Sequence, residues 1–331
     1  MHAIQVRSFG PPDVLEFRSL ADPVPGPGEI VVATIASDVL FVDTMIRSGR
    51  GAAFFPIRPP YVPGNGVGGE VVALGEGIER TWLGRRVVAH TGGPAGGRGY
   101  AELATADIEY TLAVPPDVDL HDATAVLHDG TTALRILEIC AVKPGERTLV
   151  LGAAGGMGIL LVQLLAAQGA FVVGAARGPA KREVILEAGA DAAVDYGSSD
   201  WGTAVLEMTD GEGPTLVLDG VGGSLGEAAF KLLADGGRFS AHGAPSGSFT
   251  PVDAAAASRR HITVYTMGDL QHGPGDRARL MAAVLRELSK GRITPLIGQT
   301  FSLADAAKAH LAMEARETIA KTLLLPDERP S

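Results

Sequence analysis

The stretch TLVLGAAGGMGILLVQLLAAQ, residues 148–168, places a glycine-rich turn between two apolar runs. The run before the turn has the length of a buried strand, and the run after it has the length of a helix. Glycine in such a turn permits a tight bend and lets the backbone approach a pyrophosphate. A glycine-rich loop can also do no more than reverse the chain, but the flanking strand and helix favour binding. The pattern predicts a dinucleotide site at the helix N-terminus, on the backbone of Ala154, Gly155, Gly156, Met157 and Gly158.

The end of the next strand distinguishes the two nicotinamide cofactors. In a site for NAD, an acidic residue there binds the ribose hydroxyls. Here the strand ends VGAAR at residues 173–177, without an acid, and basic Arg177, Lys181 and Arg182 follow. Guanidinium and ammonium groups suit a 2′-phosphate because they form charge-assisted hydrogen bonds. Lys181 and Arg182 could also form an ordinary solvated helix face, but the missing acid and the basic cluster together predict NADP(H).

The composition limits the classes of partner. The 331 residues carry a formal net charge of −10 and no basic run, which does not indicate nucleic acid or an anionic membrane as partner. Cys140 is the single cysteine, and the first residues lack the basic segment and apolar stretch of a signal peptide. We therefore expect a cytoplasmic protein that acts on a small molecule.

Two regions of different character follow one another along the chain. Residues 1–121 hold short runs rich in β-branched residues, separated by turns such as 63–66 and 92–99. From 122 to 266, helical and strand-like segments alternate, which is typical of a parallel sheet with helices on both faces. Residues 267–331 add no third core, and we expect them to return to the first domain. The predicted fold class is α/β: a doubly wound parallel sheet of the Rossmann type plus a β-rich domain.

Several further strings resemble one known family, the quinone oxidoreductases of the medium-chain dehydrogenase/reductase superfamily. The resemblance runs nearly end to end, and it is carried by PYVPGNGVGGEVVALGEGI (60–78), GYAELA (99–104), ARGPAKRE (176–183), LEAGADAAVDY (186–196), DGVGG (219–223), GGRFSAHGAPSG (236–247) and EARETIAKTLL (314–324). It implies a GroES-like catalytic domain from residues 1–121 and 267–331, a Rossmann NADP(H) domain from 122–266, and an active site in the cleft. It also implies a homodimer that pairs edge strands at 261–265.

The resemblance assigns further cofactor residues and an activity. Lys181 and Tyr196 match the residues that bind the phosphate, and Thr132 matches a threonine near the nicotinamide. The backbone at Val221, Gly243 and Ala244 is expected to line the cofactor. Members of the family reduce quinones or activated double bonds with NADPH.

Zinc relatives in the superfamily carry a cysteine in the segment that matches 37–43 and a His-Glu pair that matches Asn65-Gly66. This chain has none of these ligands, and the sequence places no further ligand residue at metal-binding spacing from His90 or His128. A catalytic zinc needs three protein ligands, so the sequence predicts no metal.

The expected substrate pocket departs from the family pattern. Leu40 replaces an asparagine, the tyrosine expected near Phe55 is absent, and His128 and Asp129 precede Thr132 where the family has apolar or small residues. We expect Leu40, Asp43, Phe55 and Asp129 to line the pocket.

Hydride transfer requires no catalytic side chain, but two residues are candidate proton donors. His128 titrates near neutral pH and is expected near the nicotinamide, where it would donate a proton or bind an oxyanion. Alternatively, it is a helix-start histidine bonded to backbone. Tyr61 is the second candidate. Asp129 is expected to cap the helix that begins near Thr131. Asp43 is expected to be a structural hydrogen-bond partner, and Cys140 to be buried and inert.

Three functions remain open. The first is NADPH-dependent reduction of quinones or α,β-unsaturated carbonyls. The second is reduction of an enoyl thioester, which would need a basic patch for a phosphate, for which Arg47, Arg50 and Arg58 are the candidates. The third is a non-catalytic NADPH-binding protein.

Overall fold

The computed structural model describes residues 1–51, 55–91, 98–271, 273 and 275–327. Part of the predicted turn 92–99, from 92 to 97, lies outside this range. The strands are β1 (His2–Val6), β2 (Leu15–Ser19), β3 (Glu29–Val39), β4 (Gly66–Leu74), β5 (Arg86–Thr91), β6 (Leu103–Ala113), β7 (Arg147–Leu151), β8 (Phe171–Ala176), β9 (Ala192–Asp195), β10 (Leu216–Asp219), β11 (Arg238–Ala241), β12 (Thr263–Thr266), β13 (Ile297–Ser302) and β14 (Lys321–Leu325). The helices are α1 (Phe41–Arg47), α2 (Leu120–Cys140), α3 (Gly156–Ala167), α4 (Pro179–Glu187), α5 (Trp201–Met208), α6 (Gly223–Leu232), α7 (Ala254–Arg259), α8 (Asp276–Ser289) and α9 (Ala306–Glu314).

The chain divides into two compact units. The first contains Met1–Thr131, Gly275–Gly291 and Pro295–Ser331, and the second contains Thr132–Pro274 and Arg292–Thr294. The division therefore falls at Thr131 and Pro274 rather than at the expected 121 and 266. The first difference arises because α2 is a single helix that begins in one unit and ends in the other.

The first unit is built on a six-stranded sheet in the order β13-β14-β3-β4-β5-β6. Strand β3 also pairs with β6, so the strands from β3 to β6 close on themselves. All pairings are antiparallel except β13 with β14. Buried Val67 and Val71 contribute to the core beneath β4, whereas Glu70 faces outward. The last strands of the chain thus complete a sheet that begins near its first residues.

The second unit holds a parallel sheet in the order β12-β11-β10-β7-β8-β9. The strand order reverses between β7 and β10, which is the doubly wound arrangement predicted from the sequence. Its core is apolar: Phe239 is fully buried and meets the ring of Phe230 edge-on, with ring centroids 5.5 Å apart. In such sheets ligands bind at the carboxyl ends of the strands beside the reversal. Within the described chain, no helix is long and apolar enough to cross a membrane.

Helix α2 corrects one prediction. The sequence indicated a break near Gly130, with Asp129 as the N-cap of a second helix, but the helix runs without interruption for 21 residues. Gly130 serves packing instead, because a Cβ there would lie 2.8 Å from a methyl group of Val284 on α8. Asp129 is therefore an interior helical residue, and its assignment as an N-cap was wrong.

We predict that Phe239→Ala lowers the free energy of unfolding by about 3–5 kcal/mol, because it leaves a cavity in the core of the second unit. The measurement is chemical denaturation followed by circular dichroism. Leu311→Ala is the control, since Leu311 is 59% exposed and its loss should cost less than about 0.5 kcal/mol. Equal losses in the two variants would contradict the assignment of this core.

Candidate cofactor and substrate sites

The glycine turn after β7 is held so tightly that side chains are excluded. Gly152 adopts φ +70°, and its N–H donates to the carbonyl of Ala175 at the end of β8 over 3.0 Å. A Cβ at Gly158 would lie 2.3 Å from the carbonyl oxygen of Gly152. Helix α3 begins at Gly156, so the N–H groups of its first turn and its positive dipole end lie at this turn. The arrangement is suited to binding a pyrophosphate.

A second loop beside the turn is organised by Asp219, at the end of β10. One carboxylate oxygen of Asp219 accepts hydrogen bonds from the backbone N–H groups of Val221, at 2.9 Å, and Gly222, at 2.8 Å. The other accepts a short hydrogen bond from the Thr250 hydroxyl. Sequence reasoning missed this residue, although an acid at a strand end before paired glycines is a recognisable signal. Asp219 fixes the backbone of Val221, one of the predicted cofactor contacts.

The adjacent strand β11 brings Gly243 into the same loop cluster. The N–H of Gly243 donates to the carbonyl of Asp219 over 3.0 Å, and a Cβ at Gly243 would lie 2.2 Å from backbone atoms of Gly220. His242 is buried here, and burial lowers its pKa to about 4, so it stays neutral. The predicted contacts Val221, Gly243 and Ala244 thus lie on two loops that the structure brings together.

The basic residues after β8 surround a carboxylate that the sequence analysis did not count. Asp195, at the end of β9, accepts hydrogen bonds from the N–H groups of Gly197, at 2.7 Å, and Gly178, at 3.0 Å. These two bonds, and then Arg182 and Arg177, lower the pKa of Asp195. The sequence could have revealed Asp195 by its position at the end of a predicted strand, directly before Tyr196. The predicted phosphate-binding residues Arg177 and Tyr196 therefore lie beside one negative charge, while Lys181 lies on α4.

In the first unit, Asp43 lies at the centre of a buried hydrogen-bond network. It accepts hydrogen bonds from the N–H of Leu40, at 2.9 Å, and from the hydroxyl of Tyr100, at 3.1 Å. The Tyr100 oxygen also lies 3.1 Å from Nε2 of His310. Burial raises the pKa of Asp43 to about 6 and lowers that of His310 to about 3. Asp43 has the structural role that its place in the sequence predicted.

The other pocket candidates differ in accessibility. Leu40 is buried and Phe55 is 37% exposed. The Tyr61 hydroxyl has no hydrogen-bond partner among the described residues, and burial raises its pKa further above the ordinary value. The rings of His90 and His128, which the sequence treated as isolated, meet edge-on with centroids 6.1 Å apart. Cys140 is buried as predicted, and burial raises the pKa of its thiol to about 12.

Asp129 belongs to a cluster that sequence reasoning missed. Its carboxylate accepts a hydrogen bond from the ammonium of Lys321 over 2.8 Å, and the same ammonium pairs with Asp38. The side chains of Asp38, Lys321 and Asp129 are 0%, 3% and 13% exposed, respectively. The sequence could have indicated this cluster, because the apolar strands β3 and β14 each contain a charged residue of it, Asp38 and Lys321.

These residues do not fit a zinc ion. Leu40, Asn65 and Gly66 stand in the segments where zinc relatives have ligands. The nearby carboxylates of Asp38 and Asp129 already hold a cation, the Lys321 ammonium. Within the part of the chain that the structure describes, no group of three or more histidine, cysteine or acidic residues is arranged to hold a metal ion.

Arg47 is not available for a phosphate. Its side chain is 1% exposed, pairs with Glu314 and donates to the carbonyl of Gly10 over 2.7 Å. Arg50 lies 3.4 Å from the same glutamate, and Arg58 is exposed. Arg47 is therefore excluded from the basic patch that an enoyl thioester would need, and Arg50 and Arg58 remain as candidates.

The fold and the glycine turn define a two-domain dehydrogenase or reductase with a dinucleotide site, and comparison with known proteins agrees. Two family models match: the alcohol dehydrogenase GroES-like domain over residues 26–116 and the zinc-binding dehydrogenase over residues 156–285. The chain belongs to the quinone oxidoreductase family of medium-chain dehydrogenases and reductases.

Three relatives illustrate the similarity. A quinone oxidoreductase of Pseudomonas aeruginosa is 33% identical over 98% of this chain and 99% of its own length. A 2-haloacrylate reductase of a Burkholderia species is 29% identical and covers 98% of both chains. The crystal structure of Escherichia coli quinone oxidoreductase complexed with NADPH superimposes with a TM-score of 0.90 at 26% identity, over 98% of this chain and 100% of that one.

We predict that Gly158→Ala weakens NADPH binding by at least about 10-fold, because a Cβ at this position would displace the turn that approaches the phosphates. Fluorescence titration of NADPH measures the effect. Gly202→Ala on α5 is the matched control, since its Cβ would meet only the Leu232 side chain at 3.4 Å and alanine favours helices. Unchanged affinity in Gly158→Ala would contradict the placement of the site.

Proposed function

We propose that this chain is an NADPH-dependent oxidoreductase that transfers hydride to a quinone or an α,β-unsaturated carbonyl without zinc. The observation that carries the proposal is the glycine turn at the strand-order reversal, followed by a β8 end that is basic rather than acidic. The named activities of its relatives, quinone and 2-haloacrylate reduction, support the same class of acceptor. The NADPH complex of the Escherichia coli relative supports the cofactor.

The cofactor would be held mainly by backbone. The N–H groups of the turn from Ala154 to Gly158 would bind the pyrophosphate, and the loops of Val221, Gly243 and Ala244 would line the rest of the cofactor. Thr132 would lie near the nicotinamide. Arg177, Lys181 and Tyr196 would bind the 2′-phosphate, which the first two attract by charge. When bound, NADPH supplies the hydride, and the protein supplies position and a water-poor surrounding.

The substrate side would combine apolar and polar groups. Leu40 and Phe55 would contact the apolar part of the acceptor and exclude water. A proton must follow the hydride, and His128 remains a candidate because an imidazole titrates near neutral pH. Tyr61 is a poorer acid than an ordinary tyrosine, because burial raises its pKa. Asp129, whose carboxylate accepts a hydrogen bond from Lys321, would be the charged residue that lines the substrate pocket.

The test of this function is turnover. Oxidation of NADPH is followed by its absorbance on addition of benzoquinone, and then of cyclohexenone. Turnover of either acceptor supports the reductase. Tight NADPH binding without turnover of any quinone or enone would instead favour a non-catalytic NADPH-binding protein. Turnover of an enoyl thioester alone would favour the second function, enoyl-thioester reduction, against which the pairing of Arg47 with Glu314 counts.

We predict that Arg177→Gln and Lys181→Met each weaken NADPH binding by about 10-fold or more, since a hydrogen bond to a charged group contributes about 1.5–3 kcal/mol. NADH binding should change little, because NADH has no 2′-phosphate. Lys231→Met is the control, since Lys231 is 71% exposed on α6. Equal weakening of both cofactors, or a preference of the wild type for NADH, would contradict the phosphate assignment.

We also propose a cytoplasmic homodimer that pairs the edge strands β12. The N–H of Thr263 donates to Gly237 in its own chain, so the N–H of Val264 faces the free side of this edge strand. Apolar Phe249 and Met267, each more than a third exposed, lie beside Val264. An unpaired strand edge with apolar neighbours is suited to pairing with a second copy.

We predict a solution mass of twice 34.1 kDa by sedimentation. Val264→Pro should shift the mass toward the monomer, because proline removes the outward N–H from β12. Ala192→Pro, on the opposite edge strand β9, is the matched control and should leave the mass unchanged. A monomeric wild type, or equal effects of the two prolines, would contradict pairing through β12.

A further inference from the structure

Three charged side chains form a buried cluster in the first unit, which we call the acidic triad: Asp38 on β3, Asp129 on α2 and Lys321 on β14. The ammonium of Lys321 bonds to both carboxylates, at 2.8 Å in the case of Asp129. Asp38 is completely buried, and one of its carboxyl oxygens has no hydrogen-bond donor among the described residues. The triad therefore joins one cation to two acids in a place almost without water.

The charges of the triad do not balance when both acids are ionised. Two carboxylates and one ammonium leave a net charge of −1, and burial of an uncompensated charge is strongly unfavourable. A carboxyl oxygen without a donor favours the protonated form. Burial raises the pKa of Asp38 to about 7, and repulsion by Asp129 and Asp43 adds to this effect, which Lys321 opposes. At neutral pH the triad thus carries one exchangeable proton.

One member of the triad, Asp129, is among the residues that the sequence assigns to the substrate pocket. Asp129 is its most exposed member, follows His128 directly and lies three residues before Thr132 on the same helix. Asp38 lies beside Gly66, where a Cβ would be 3.4 Å from the Cβ of Asp38. The triad is therefore next to the residues through which this chain departs from its family.

We propose that the acidic triad is the proton donor of the reduction, with Asp129 as the residue that delivers the proton. The proposal rests on the proposed function, because it requires an acceptor beside α2. The hydride and its electron pair leave the nicotinamide and form a C–H bond at the β-carbon of an enone, while the π electrons move toward the carbonyl oxygen. The O–H bond of Asp129 then breaks, and its proton forms the C–H bond at the α-carbon.

Lys321 connects the two acids and so lets Asp38 act as the proton store. Before the transfer, Lys321 passes one proton to Asp129 and receives the proton of Asp38, so the net charge of the triad stays zero. After Asp129 has given its proton to the acceptor, the triad carries −1, and a proton from water restores Asp38 to the neutral acid. Asp38 and Lys321 are positioning residues in this scheme, since neither has to touch the acceptor.

A purely structural triad makes a different prediction. Buried ion pairs contribute little net stability and can often be replaced by neutral groups of the same size. The triple variant Asp38→Asn, Asp129→Asn, Lys321→Met keeps the shapes and removes all three charges. If the triad only holds β3, α2 and β14 together, this variant should keep both its melting temperature and its catalysis.

The experiment compares two acceptors in the same preparations. An enolate is a strong base and needs an acid at the site, whereas the hydroquinone anion is as weak a base as other phenolates and can leave unprotonated. For Asp129→Asn and for the triple variant, we expect cyclohexenone turnover to fall about 100-fold, a typical contribution of a general acid. Benzoquinone turnover should fall much less. Melting temperature and NADPH binding, measured alongside, identify variants that fail to fold.

The pH dependence gives a second readout with a definite sign. The proton is present below the pKa of Asp38 and is lost above it, so wild-type enone turnover should fall as the pH rises through about 7. Asp38→Asn leaves a neutral pair of Asp129 and Lys321, so this fall should disappear and the rate should stay low throughout. Asp43 on α1, Asp129 and Lys321 help to set the pKa of Asp38, and the Tyr100 side chain, before β6, also interacts with Asp38.

Two outcomes would overturn the proposal. One is an equal fall for both acceptors in a folded Asp129→Asn protein, and the other is an unchanged ratio of enone to quinone turnover in the triple variant. Failure of the wild type to oxidise NADPH with either acceptor would overturn the proposed function instead, so the two failures are distinguishable.

Discussion

The backbone of α3 passes so close to the end of β7 that a Cβ at Gly158 would lie 2.3 Å from a carbonyl oxygen of Gly152. This contact fixes where the helix begins, and so where its first N–H groups would meet a phosphate. It also fixes β7 and β8 relative to each other, because the N–H groups of Gly152 and Ala153 both donate to Ala175. The parallel sheet therefore extends from the same few residues that we propose hold the cofactor.

The first unit depends on a different constraint, the burial of acids. Asp43 is supported by two donors, from Leu40 and Tyr100, whereas among the described residues Asp38 has only the ammonium of Lys321. Burial raises the pKa of both acids, but the less supported Asp38 reaches the higher value, about 7 against about 6. Two aspartates on neighbouring elements of one unit thus differ in chemistry through the donors and charges around them: Asp43 serves structure, while Asp38 remains able to exchange a proton.

The sequence was sufficient where the information is local. The glycine turn, the basic end of β8 and the final strand Lys321–Leu325 all follow from neighbouring residues, and their positions agree with the structure. The sequence was insufficient where a structural feature depends on a contact between residues that are far apart in the chain. Gly130 looked like a helix boundary because nothing nearby reveals that Val284 packs against it. The triad was missed for the same reason, since its three members come from three separate parts of the chain.

The pairing of β14 with β3 has a consequence for the synthesis of the protein. Lys321 leaves the ribosome roughly 280 residues after Asp38, a delay of roughly 15–60 s at ordinary rates of translation. Throughout this interval the first unit lacks both the strand that covers one side of β3 and the cation that Asp38 requires. Asp38 can be buried in the nascent chain only as the neutral acid. Strand β14, made long after β3, therefore both pairs with β3 and brings in the cation that pairs with Asp38.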